Sequence, residues 1–157
     1  NKVKRMAYIA NATPLVYLSH SHDDSKNPIP YITKVNLAMQ AFGKCVQISD
    51  AKNIIEVLIN LSGKYDKMIV MVGSDRVSEF TNLLNKYNGV DYHYNSITVV
   101  SAGTRDDSDD GIAGISASKL REYAVNKNYV SFKKSIPATL QPYHMLVAHL
   151  VRKGLKL

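Results

Sequence analysis

The chain has 157 residues, the size of one domain, and 45% of them are apolar, which suffices for a core. A single cysteine, Cys45, excludes an internal disulfide and a CxxC pair for zinc or redox chemistry. No run approaches the about 18 apolar residues of a membrane span, and the opening residues lack the charged-then-apolar layout of a signal peptide; the net charge of +7 sits at one end, where residues 119–157 carry eight cations against Glu122 alone. Such a block draws anions such as phosphates, nucleotides, nucleic acid or an acidic protein face, or it serves as a solvated helix surface.

The opening "NKVKRMAYIAN" places Val3, Met6, Ile9 and Ala10 at helical spacing. It has neither an N-cap nor an initiator methionine ahead of it, so the expectation is that upstream sequence was removed or lies on another polypeptide. "TPLVYLS" (13–19) predicts a buried strand with Pro14 at its edge, and the polar "HSHDDSKNPIP" predicts a loop. Pro30 is placed to open a helix carrying Val35, Leu37, Ala38, Ala41 and Phe42, and Gly43 to close it. "CVQI" (45–48) predicts a strand, and Ser49 or Asp50 a cap for the helix with Ile54, Ile55, Val57, Leu58 and Leu61.

"KMIVMVG" (67–73) is the most apolar strand of the chain and predicts the deepest burial; a helix through Val77, Phe80, Leu83 and Leu84 follows. "SITVVSAG" (96–103) predicts the last strand, ahead of an acidic loop and "DDGIAGISASKLREYA" (109–124). The tail predicts a short helix near "YVSFKKSI" and a longer one near "LQPYHMLVAHLVRKG" with Pro142 in its first turn. Strands separated by helices of ten or more residues need crossovers, which predicts a single doubly wound α/β domain with a mostly parallel sheet covered on both faces. Ligands of such sheets bind beyond the carboxyl ends of the strands, here the segments "SHSHDDSKNP", "SDAKN", "GSDRV" and "SAGTRDDSDDGIAGISASK".

Within "GISASKLREYA", Ser116 is a good N-cap and Ile115 with Leu120 forms a hydrophobic staple, so the helix starts near Ala117. The backbone N–H groups of Ala117, Ser118 and Lys119 are then expected to be free. Lys119 occupies the position where a capping box has a carboxylate, and a cation there opposes the helix dipole by roughly 0.3 to 1 kcal/mol. A bound anion would offset that: free amides, two hydroxyls, Lys119 and Arg121 together make a phosphate cradle. The alternative is an ordinary capped helix with two surface cations.

Other constellations are weaker. "DDSDDG" (106–111) has calcium-loop spacing at its start but Ala117 at the position of the bidentate glutamate. His144 and His149 are five apart and do not share a helix face, no phosphate-binding P-loop is present, and the ten tyrosines form no base-stacking ladder. His20 and His22 fit a polar loop, and Arg76 can pair with Glu79 at the surface. No metal site is predicted.

"GISASKLREYA" resembles the I-S-x-x-x-x-R signature of the nucleotidyltransferase-like α/β superfamily, which includes nicotinamide-mononucleotide, pantetheine-phosphate and glycerol-phosphate nucleotidyltransferases. "VMVGSDRVSEF" is similar to the family's G-x-D segment after its fourth strand, and "KNPIPYITKVNLAMQAFG" to its N-P-x-x-x-x-x-K-x-x-x-x-x-x-A-F segment after its second. With "YLSHSHD" and "VVSAGTRD" the chain looks particularly like nucleotidyltransferase-like proteins of tailed bacteriophages, over residues 1–137, with 138–157 as a C-terminal helix.

The resemblance implies a Rossmann-like sheet of order 3-2-1-4-5. It implies that Ser116, Ala117, Ser118, Lys119 and Arg121 bind the phosphates of ATP or CTP, delivered with Mg²⁺; that Gly73 and Asp75 face the nucleotide; and that Ser19, His20 and Lys26 face a small phosphorylated acceptor. The implied reaction is attack of the acceptor on the α-phosphate, releasing pyrophosphate, with the protein supplying position and charge. The family's H-x-G-H, with its first, central strand, is absent from this sequence. The expected partner is therefore a segment or second chain that completes the sheet, and no catalytic residue is expected within the chain. A degenerate relative serving as a structural or scaffold component of a phage particle, in contact with virion proteins or as a homo-oligomer, is the alternative; a basic nucleic-acid-binding module is the third reading. The implied location is host cytoplasm or virion.

Overall fold

The computed structural model describes residues 2–103 and 116–157. It is a mixed α/β chain with a parallel pair of strands, and it divides into two compact units: Asn1–Pro14 with Asp50–Arg105, and Leu15–Ser49 with Asp106–Leu157. Among the described residues no helix is long and apolar enough to cross a membrane.

The first unit holds helices α1 (Lys2–Ile9), α3 (Ile54–Leu61) and α4 (Val77–Tyr87) and strands β1 (Lys67–Val72) and β2 (Ser96–Ser101). The two strands pair in parallel from Lys67 opposite Ser96 to Val72 opposite Ser101, and α4, which packs on β2, makes the crossover that a parallel pair needs. Leu84 and Leu58 are fully buried, and two tyrosine hydroxyls lock the core to helix ends: Tyr92 donates to the Leu84 carbonyl at 2.7 Å and Tyr94 to that of Leu58 at 2.6 Å. Each phenol thus buries its ring and satisfies its polar end.

Two expectations fail in this unit. α3 is capped by Asn53, whose side chain accepts from Glu56 N at 3.0 Å while Glu56 reaches back to Lys52 N, rather than by Ser49 or Asp50. Ser49 is engaged otherwise: its N–H donates to the Tyr31 hydroxyl, which donates to its carbonyl. β1 is also not deeply buried, for none of its six residues is buried and Ile69 is 42% exposed. Among the described residues it has one hydrogen-bonded neighbour, β2, and a strand paired along one edge cannot be enclosed as a central strand is.

The second unit is mainly helical, with α2 (Tyr31–Phe42), α5 (Ala117–Val125), α6 (Tyr129–Lys134) and α7 (His144–Gly154). Pro30 precedes α2 and Gly43, at φ 78°, closes it, both as the sequence predicts. Phe132, Ala124 and Ala148 are fully buried in a cluster completed by Ile136, Leu140, Val147 and Val151, and Arg152 donates to the Val125 carbonyl at the end of α5. The predicted strands 13–19 and 45–48 reduce to one parallel bridge, Val16 to Val46. Pro14 has no N–H to extend the ladder, and Val46 N–H is spent on the Gly43 carbonyl in the 3-10 turn Gly43–Cys45. The last helix starts later than predicted: Pro142 lies in a 3-10 segment, Ala138–Tyr143, and α7 begins at His144.

Candidate anion-binding site

Residues of the second unit build one candidate site around the start of α5. Ser116 caps the helix as expected, its hydroxyl accepting from Lys119 N at 3.2 Å. The Lys119 amide is therefore not free, and Ala117 and Ser118 carry the amides that have no partner among the described residues. Lys119 Nζ turns back to Glu122 at 3.1 Å, which holds its pKa above the usual lysine value, and it lies 5.4 Å from the Tyr123 ring. This exposed pair relieves the dipole conflict at Lys119 and removes that cation from the front of the site. Ile115 and the acidic run 106–111 lie outside the described residues.

Arg121 takes the central place. Its guanidinium donates to Ser118 Oγ and to the Lys26 carbonyl, both at 3.0 Å, so one residue joins the first turn of α5 to the loop before α2. That loop is organised by Asp23, whose carboxylate accepts from the Asn27 amide, from Lys26 N at 2.6 Å, and from both N and Oγ of Ser25. These bonds, with Asn27 first and Lys26 next, hold its pKa far below the carboxylate range. Lys34 supports the same loop from α2, donating to the carbonyls of Ser19 at 2.8 Å and Ser21 at 2.7 Å; burial pushes its pKa down.

A cavity of about 250 Å³ opens here, lined by Lys26, Lys34 and Arg121 among its polar groups. Among the described residues the ion pairs are Lys119–Glu122 and Lys156–Asp24, so none of these three cations faces a carboxylate at ion-pair distance. Arg121 and Lys34 are held by carbonyls and a hydroxyl, and Lys34 also feels the Asp23 carboxylate of the same loop.

The structure thus brings together Ser116, Ala117, Ser118, Arg121 and Lys26 of the sequence-predicted site. Ser19 sits on the same loop, its hydroxyl bound to Ser21 Oγ at 2.6 Å. The His20 ring stacks on Tyr31 with centroids 3.6 Å apart, and its Nε2 lies 2.7 Å from the Ser49 carbonyl. Gly73 and Asp75 belong to the other unit, in the 3-10 turn Ser74–Arg76 after β1, where the Asp75 carboxylate folds back over Gly73. Arg76 lies over the Phe80 ring at 4.9 Å. Among the described residues no cluster of three His, Cys, Asp or Glu side chains could hold a metal ion.

Two contributors escaped the sequence reading. Lys34 is the lysine of the N-P-x-x-x-x-x-K pattern and could have been singled out from it; Asp23 looked like one polar loop residue among several, although Asp-Asp-Ser-Lys-Asn is rich in turn-forming residues. No family model, curated protein or solved structure matches the chain.

Proposed function

We propose that the second unit binds the phosphates of a nucleoside triphosphate, ATP or CTP with its Mg²⁺, at the start of α5, and that the chain is a nucleotidyltransferase-like domain. The observation that carries this reading is that Arg121, Lys26 and Lys34 line one cavity at the start of α5, with carbonyls and a hydroxyl holding Arg121 and Lys34. Amides at a helix start and cations beside them both favour a polyanion.

In this reading Ser118 and Arg121 hold the pyrophosphate that leaves, while Ser19 and Lys26 face the phosphorylated acceptor. Transfer of AMP or CMP then needs the transition-state histidines and central strand of the order 3-2-1-4-5 from another segment or chain. Among the described residues β1 pairs with β2 alone, which supports that requirement, because an apolar strand with no buried residue has room for a neighbour. Without that supplement the domain binds and does not turn over.

Calorimetric titration of ATP and CTP into the full chain tests the reading. Arg121→Ala is expected to weaken triphosphate binding by at least tenfold, about 1.4 kcal/mol, and raising salt is expected to weaken binding to the wild type, because ions screen the attraction between the cations and the phosphates. Equal affinity in wild type and variant would overturn the assignment.

A further inference from the structure

The outward face of α7 takes no part in the anion site. Val147, Ala148 and Val151 are buried in the helical cluster, so the helical repeat sets Met145, His149 and Lys153, with Leu146 beside them, on the opposite side. Met145 is 52% exposed and Leu146 56%, so both side chains are open to a partner. The face runs from apolar at the start of the helix to basic at its end, where Lys153 is exposed. Charge in this unit is also unbalanced. Asp23, Asp24 and Glu122 are its carboxylate side chains among the described residues, and each is taken: Asp23 by its own turn, Asp24 by Lys156 and Glu122 by Lys119. Lys127, Lys133, Lys134 and Lys153 are exposed and have no carboxylate at ion-pair distance among the described residues.

We propose that this face of α7 docks an acidic amphipathic helix of a partner protein, whose apolar stripe covers Met145 and Leu146 and whose carboxylates meet Lys153. The chemistry of the face selects that occupant. A nucleic acid would answer the lysines but leave Met145 and Leu146 against phosphate and water, and an uncharged helix would leave the lysines without counter-charge. An acidic amphipathic segment answers both, with an apolar centre and a charged rim. Met145 is unbranched and adapts to the side chains laid on it. Lys127, Lys133 and Lys134 add to the field that draws and orients an acidic partner, an attraction that salt screens. None of these residues lines the cavity at α5, so the inference stands apart from triphosphate binding.

The experiment titrates the full chain into a labelled synthetic peptide with leucines at i, i+3, i+4 and i+7 and glutamates between them, followed by fluorescence anisotropy and by the methyl shifts of Met145 and Leu146. The comparison probes are the same residues in scrambled order, a single-stranded oligonucleotide of equal charge and vesicles of anionic lipid. The patterned peptide is expected to bind roughly tenfold tighter than the scrambled one, to shift both methyls, and to bind more weakly as salt rises. Leu146→Ser and Lys153→Glu, both at exposed positions, are each expected to weaken it several-fold with circular dichroism unchanged, and Leu146→Ser is expected to leave ATP affinity as it was. Equal binding of the two peptides overturns the proposal, because charge alone then accounts for the attraction. Unchanged binding in Lys153→Glu overturns it from the other side, since the face then needs no acidic partner. Tighter binding of the oligonucleotide or of the vesicles than of the patterned peptide overturns the choice of a protein helix. Each of these outcomes leaves triphosphate binding standing.

Discussion

The helical cluster of the second unit and the sheet of the first are built from segments of similar apolar content, yet they end differently. Phe132 in α6 is 0% exposed, whereas Ile69 in β1, a strand with five apolar residues of six, is 42% exposed. The difference lies in where the backbone finds its hydrogen bonds. A helix satisfies its own N–H and C=O groups, so three helices meeting along apolar stripes can enclose a core between them. A strand satisfies half of its groups on each side, so burial waits on neighbours, and β1 has one among the described residues.

That contrast can be broken by experiment. Phe132→Ala is expected to have the largest effect, costing about 3 to 5 kcal/mol in chemical denaturation; a cost near zero would mean that the helical cluster is not a packed core. Gly154→Ala comes next at about 1 to 3 kcal/mol, since a Cβ there would lie 1.8 Å from the Pro28 carbonyl, and it should loosen the loop that carries Lys26. Ile69→Ala should cost roughly 1 kcal/mol, a fraction of the value for full burial; a loss as large as that of Phe132→Ala would show β1 enclosed after all. Asn53→Ala should cost about 1 kcal/mol, because it deletes a cap that does not depend on burial in either unit.

The smallest and most local test is titration of Asp23 by NMR. Its native pKa is depressed, so its contribution to stability is present above the ordinary carboxylate pKa and is lost as pH falls through the native value. The 23–27 turn should therefore stay formed well below pH 4, and Asp23→Ala, which removes both acceptor oxygens, should loosen it at neutral pH. A midpoint near that of an exposed aspartate would show that the turn does not hold Lys26 in place.

Local signals were legible where neighbours in sequence supply the partners. Ser116 as cap, Pro30 and Gly43 bounding α2, and the helical stretches all follow from side chains within four positions of the backbone groups they serve. Predictions failed where the partner is distant. The backbone of Ser49 is taken up by the Tyr31 hydroxyl eighteen residues away, and the cap of α3 falls to Asn53. At Lys119 a local partner is present as well: Glu122, three residues on, takes its ammonium.

The sequence by itself determined the α/β character, the starts of α2 and α5 and the basic C-terminal quarter, because each depends on local spacing and composition. Tertiary structure alone decided that Arg121 bonds to Lys26 across 95 positions, that Lys34 shares their cavity, and that Gly154 must be glycine where Pro28 passes. Such meetings depend on where the chain returns to itself. A pattern of neighbouring residues carries no record of that return.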